Sequence, residues 1–163
     1  MVRIRRADVN DVEQLLDCER SVWESLRGVL PDEFLEGELR RYGSAEARER
    51  TRRFLESPSS IVLVAEEEGR IVGFAEGSVA AGVSRLGVIG VREEYRRRGI
   101  GLRPLEEFVK ESKRRGAHKV YLWTPAALKP AIKLYVKAGF VPEGFLRKHF
   151  HGMDMIIYSK LLE

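Results

Sequence analysis

The chain has 163 residues, 44% hydrophobic and 33% charged, with 29 basic against 25 acidic side chains and a formal net charge of +4. That length suits one compact domain over residues 1–163, and the mild basic excess suits an anionic ligand while falling short of a dedicated nucleic-acid binder. With Cys18 the lone cysteine there is no disulfide or cysteine-built metal site, no metal is expected, and the lack of an apolar leader or bilayer-length run predicts a cytoplasmic protein without a membrane partner.

Arg3-Ile4-Arg5 alternates as a first strand does. Asp8 precedes an apolar stripe of Val12, Leu15, Leu16, Val22, Trp23 and Leu26, so it reads as the N-cap of a helix that Gly28 ends. Cys18 falls in this helix as a small core residue. Asn10 and Gln14 are the only side-chain amides, a depletion expected of a thermophilic source. Pro31 fits the first turn of a second helix carrying Phe34, Leu35 and Leu39. Ser44 caps a third, over about 45–55, which Ser57-Pro58 closes. Residues 61–65 are β-branched and apolar, 66–69 form a turn, and 71–80 return as a hairpin partner. Gly82 and Ser84 predict one more turn.

Residues 88–102 then form a short apolar strand, a turn holding Arg96, Arg97 and Arg98 with Gly99 and Gly101, and the start of an amphipathic helix. Leu102, Leu105, Phe108 and Val109 recur at helical spacing, and Gly116 is its stop. A helix start presents unpaired N–H groups and the positive end of the dipole, and glycines let a ligand approach the backbone. With three arginines beside it, the turn is a candidate phosphate holder; its alternative is an ordinary turn with solvated arginines. A Walker loop ends in Gly-Lys-Ser/Thr, but Leu102-Arg103-Pro104 follow Gly101. A dinucleotide fingerprint needs a third glycine and an acidic residue after the next strand, and the strand at 119–123 closes without one.

The remaining pattern, Arg-x-x-Gly-x-Gly from Arg96 to Gly101, resembles the pyrophosphate loop of the GNAT superfamily of acetyl-CoA-dependent N-acetyltransferases. Residues 131–140 resemble its other signature, a short helix bearing Leu134-Tyr135 and ended by Gly139-Phe140. Pro125 and Pro130 bracket the start of that helix, and segments 140–150 and 153–161 make a last hairpin around His151-Gly152. The element order predicts an α/β fold: a mixed, mostly antiparallel sheet with helices on both faces. The resemblance adds a parallel, splayed strand pair at a cofactor cleft.

That resemblance implies acetyl transfer from acetyl-CoA to a primary amine by direct attack in a ternary complex. It implies that Ile89, Gly90 and Val91 offer backbone groups to the pantetheine. The backbone of Arg97, Arg98, Gly99, Ile100, Gly101 and Leu102 wraps the pyrophosphate, with Arg96, Arg97 and Arg98 as phosphate partners. The Val91 N–H is the candidate oxyanion stabiliser, and Tyr135 the candidate general acid for the departing sulfur. A helix tyrosine can instead be a plain core residue.

The base is less legible. Many relatives carry a glutamate early in the strand before the loop, a slot held here by Arg85. Others carry one at the end of the next strand, held here by Trp123, and a frequent cofactor-contacting asparagine is matched by Leu128. Glu76, His149 and His151 remain, with Glu76 favoured because its strand adjoins the reactive one; a water chain without a dedicated base is the alternative. Glu33, Phe34 and Tyr42 are candidates for the acceptor wall. The basic run 144–150 disfavours a polyamine and favours a peptide or protein amine. Two rival functions are a non-catalytic CoA-binding regulatory module and a nucleic-acid binder using the arginine-rich turn and Lys113-Arg114-Arg115.

Overall fold

In the computed structural model, which describes residues 1–163, seven strands form one sheet. They are β1 (Arg3–Arg6), β2 (Ser60–Glu67), β3 (Arg70–Ala80), β4 (Val83–Val91), β5 (Lys119–Pro125), β6 (Val141–Leu146) and β7 (Met155–Leu161). Their order across the sheet is β1-β2-β3-β4-β5-β7-β6, and only β4 and β5 run parallel. Five helices flank it: α1 (Val12–Glu24), α2 (Asp32–Leu39), α3 (Ala45–Glu56), α4 (Leu102–Arg114) and α5 (Lys129–Lys137).

The two faces of the sheet explain the run of apolar residues in β2. Ile61 and Leu63 pack with Leu105 and Phe108 of α4 and Tyr135 of α5, while Val62 and Val64 pack with Leu15, Cys18 and Val22 of α1. A strand covered on both sides has no polar face to show. Phe74 of β3 joins the α1 side and Phe108 fills the α4 side, each fully buried and each worth roughly 1.5–3 kcal/mol of burial.

The predicted caps form. Asp8 Oδ1 accepts the Asn10 N–H at 2.8 Å and Asp11 accepts the Asp8 N–H in return, while Ser44 Oγ accepts the Ala47 N–H at 3.0 Å. The hairpin turns are tighter than the composition suggests. Glu66 stays in β2, bonded by Arg3 and Arg5, and Glu67 stays with it, bonded by Arg98. This leaves Glu68 and Gly69, both at positive φ, as the turn. Ser84 is likewise inside β4, and Ala81-Gly82 make that turn. The last hairpin has a longer connection, 147–154, because Lys148 and His151 adopt positive φ and Asp154 Oδ1 binds the Lys148 N–H at 2.9 Å.

The feature that positions the site is the parting of β4 and β5. They pair only at Val83↔Lys119, Ser84↔Val120 and Arg85↔Tyr121; beyond that β5 keeps β7 and β4 keeps β3. A bulge sits at the same level, where Glu76 pairs with Val88 but Gly77 with Leu86, and such a bulge bends and twists its strand. Gly77 is required there by space. A Cβ on it would meet Phe108 Cζ at 2.8 Å and the Arg85 carbonyl carbon at 2.9 Å. Further along, Gly90 makes room for Val22, whose Cγ1 lies 2.6 Å from where a Cβ would stand.

Candidate active site

The cleft edge follows from strand alternation. The Arg92 N–H donates to the Val72 carbonyl at 2.8 Å, so Gly90 and Val88, two and four residues earlier, also turn their backbone groups to β3. Ile89 and Val91 then point theirs to the side where β5 has departed. The Val91 carbonyl accepts from Arg96 Nε at 2.9 Å, which leaves the Val91 N–H and the Ile89 amide group free along that edge. Gly90 thus serves the packing of α1 and pairs with Phe74.

The three arginines of the turn separate by partner. Arg96 is exposed but engaged by the protein itself, bonding the Val91 carbonyl and, at 2.7 Å, Ser25 Oγ at the end of α1. Arg98 pairs with Glu67 at 2.8 Å and stacks over Tyr95. Arg97 is exposed at φ 63° and has no partner in the chain, so its guanidinium is the one left to face a ligand. Arg92, by contrast, is buried between the Ile71 carbonyl and Asp17.

Gly99 has φ 72°, with open space where a Cβ would be. Ile100 is buried beside Val2, Ala65 and Val72 and anchors the turn. Gly101 lies against Val91 and Leu134, so the turn, the end of β4 and α5 meet at one point. Leu102 opens α4 with no side-chain cap and no acidic residue in the first turn. A helix start of this kind presents unpaired donors, fitting the diphosphate of a coenzyme.

Tyr135, on α5, is 5% exposed among Phe140 and Tyr158. Burial pushes its phenol above the usual value, so it stays protonated and can donate. On the opposite face of the sheet Glu76 meets Glu19 of α1. The two carboxyl groups are near enough for the charge of Glu19 to act on Glu76, and the Tyr42 hydroxyl donates to Glu19 Oε2 at 3.2 Å. Burial first, and then the Glu19 charge, raise Glu76 well above the ordinary carboxylate value; Glu19 is raised too, by burial. Glu76 is hemmed in by protein yet opens on a pocket of about 330 Å³.

Arg85 lines that same pocket, its guanidinium 5.3 Å from the Trp123 indole centroid. Trp123 stacks on Phe150 and meets His149 edge-on. His151 packs on Phe34, which in turn contacts Trp23, while Glu33 is 86% exposed and 3.8 Å from the imidazole. Tyr42 thus reaches the carboxyl pair through Glu19, while Phe34 joins Trp23 to His151. Leu128 precedes α5 at its N-cap. Glu19 was not among the sequence candidates. Its signal was present: Leu15, Cys18, Glu19 and Val22 fall on one helical stripe, a carboxyl among core residues.

Comparison with known proteins gives four matches of note. Residues 23–140 match the sequence model described as the Acetyltransferase (GNAT) family. An N-alpha-acetyltransferase of Sulfurisphaera tokodaii is 30% identical, across 91% of this chain and 85% of that protein. A spermidine N(1)-acetyltransferase of Thermoplasma acidophilum is 24% identical across 98% of this chain and 97% of its own. Among solved structures, the PaiA N-acetyltransferase of Thermoplasma acidophilum in complex with coenzyme A superposes with a TM-score of 0.84 at 22% identity, covering 99% of both chains.

Proposed function

Since this chain belongs to the Acetyltransferase (GNAT) family, we propose that Glu76 and Tyr135 divide its proton transfers on either side of the parted strands β4 and β5. The chain is an acetyl-CoA-dependent N-acetyltransferase. Acetyl-CoA supplies the activated acyl group, as a thioester. The protein's own tasks are to take a proton from the amine, to steady the negative charge that grows on the acyl oxygen, and to protonate the leaving sulfur.

An amine of the lysine type has a reference pKa near ~10.4 and needs a base. Glu76 is that base in this reading. Its raised pKa makes it a stronger proton acceptor than a solvated carboxylate. The Val91 N–H, left free beside the departed β5, is the oxyanion donor. Tyr135, kept neutral by burial, is the acid. Cofactor binding falls to the edge groups of Ile89 and Val91, to the 97–102 turn at the start of α4, and to Arg97.

The observation that carries this reading is the Glu19–Glu76 pair. It supplies a carboxylate where Arg85 and Trp123 provide none, which favours an enzyme over a regulatory CoA-binding module. The acceptor we favour is a peptide or protein amine, since unpaired arginines on the pocket oppose a polycation and the Sulfurisphaera relative is named for α-amines.

Two variants test the division of labour. Tyr135→Phe lowers kcat by about 10²-fold with little change in the KM for acetyl-CoA, because the hydroxyl acts on the leaving group. Unchanged kcat removes Tyr135 from the mechanism. Arg97→Ala raises the KM for acetyl-CoA by about tenfold and leaves kcat alone, as loss of one charge-assisted phosphate contact should. A thermal-shift titration with CoA, comparing the parent chain with Arg97→Ala, reports whether the contact is made, independently of turnover.

A further inference from the structure

The pocket beside Glu76 carries more positive charge than taking a proton from an amine requires. Its lining includes Glu19, Arg41, Arg50, Glu76 and Arg85. Most arginines of this protein are matched to a carboxylate, and Arg41 is among them, 3.1 Å from Glu38. Arg50 and Arg85 are exposed and have no carboxylate partner; Arg85 lies over Trp123 instead. Glu19 and Glu76 are the only carboxyl groups of the lining, and burial favours the neutral form of both. Two unmatched guanidinium groups stand opposite.

Such a lining sorts amines by what else they carry. A plain amine can reach Glu76, but a second positive group would lie against Arg50 or Arg85. A negative group on the same molecule would find a planar, multidentate donor instead. We infer that the acceptor is an amine that also bears an anionic group, a carboxylate or a phosphate, with the amine at Glu76 and the anion between Arg50 and Arg85. This rests on the reading of Glu76 as the base. Selectivity here combines attraction with rejection: the arginines disfavour acceptors with extra positive charge as well as attracting acidic ones.

The test is a set of matched acceptors with the full chain and saturating acetyl-CoA. Tetrapeptides beginning Ser-Glu, Ser-Gln and Ser-Lys differ only in the second side chain, and O-phosphoethanolamine is compared with ethanolamine to tell a phosphate from a carboxylate. The acidic member is expected to lead its neutral counterpart by about tenfold in kcat/KM, mainly through KM, and the lead should shrink at high salt. Replacing both arginines, Arg50→Ala with Arg85→Ala, brings the acidic-to-neutral ratio close to one. Arg50→Lys with Arg85→Lys restores part of it, and Arg50→Glu with Arg85→Glu turns preference toward the Ser-Lys peptide. Both sites are exposed, so these variants fold, as circular dichroism will show. Equal rates on acidic and neutral members, or a wild-type preference for the Ser-Lys peptide, overturn the inference and leave the roles of Glu76 and Tyr135 standing. Acetyl-CoA binding by calorimetry with no acetylation of any acceptor overturns both.

Discussion

Glu76→Gln lowers kcat by about 10²–10⁴-fold while acetyl-CoA binding, followed by calorimetry, is unchanged. The amide keeps the shape, so the loss isolates proton transfer from packing. A variant that keeps a tenth or more of wild-type kcat would remove Glu76 as the base. The pH profile adds a second reading of the same group. A base must be unprotonated, so kcat/KM rises with pH through the apparent pKa of the pair, which lies above the ordinary carboxylate range because of burial and the Glu19 charge. Glu19→Gln removes that charge, and the acid limb of the profile moves to lower pH. Tyr42, Arg41, Arg50 and Arg85 also face this pocket, and Glu38 offsets Arg41.

The same shifts have a cost in stability, and its sign is fixed. Both carboxyl groups bind a proton more tightly in the folded chain than in the unfolded one. Their contribution therefore favours folding below the unfolded carboxylate value of roughly 4.3 and is lost as pH rises through the raised, folded value. Catalysis thus needs the pair in the form that stabilises the fold least.

Gly77→Ala destabilises the protein by about 3 kcal/mol, an overpacking penalty at the upper end because the obstacle is main chain. For a domain of this size that is a fall of about 6–12 °C in Tm by scanning calorimetry. The Arg85 carbonyl and the Phe108 ring tip cannot both yield without moving β4 from β3. Activity falls further than the lost stability accounts for, since the bulge at Gly77 lies where β4 leaves β5. A Tm within a degree or two of wild type would mean that the bulge tolerates a side chain.

Elements whose signals are continuous along the chain were legible. The turn from Arg96 to Leu102, the helix bearing Tyr135 and the caps at Asp8 and Ser44 each depend on neighbours within a few residues. The Glu19–Glu76 pair depends on α1 lying across β3, two segments far apart in sequence, and no local pattern announces it. The three arginines look alike in sequence; they divide only because Ser25 and Glu67 come within reach of Arg96 and Arg98 in the folded chain. Gly77 and Gly90 are unremarkable strand glycines until the Arg85 carbonyl and Val22 are placed against them. The extra carboxylates in β2 had the same cause, since Arg3 and Arg5, the partners of Glu66, come from the first strand and Arg98, the partner of Glu67, from the turn before α4.

Cys18 is fully enclosed on the inner side of α1, and burial pushes its thiol up to about 12. At the mildly alkaline pH of a disulfide-exchange chromophore assay almost none of it is thiolate, and the reagent has no path to the sulfur. The only fast-reacting thiol in a turnover mixture is then the one that the reaction itself releases. Continuous colorimetry can follow this protein without a cysteine-free variant, and oxidants that disable exposed-thiol enzymes leave it intact.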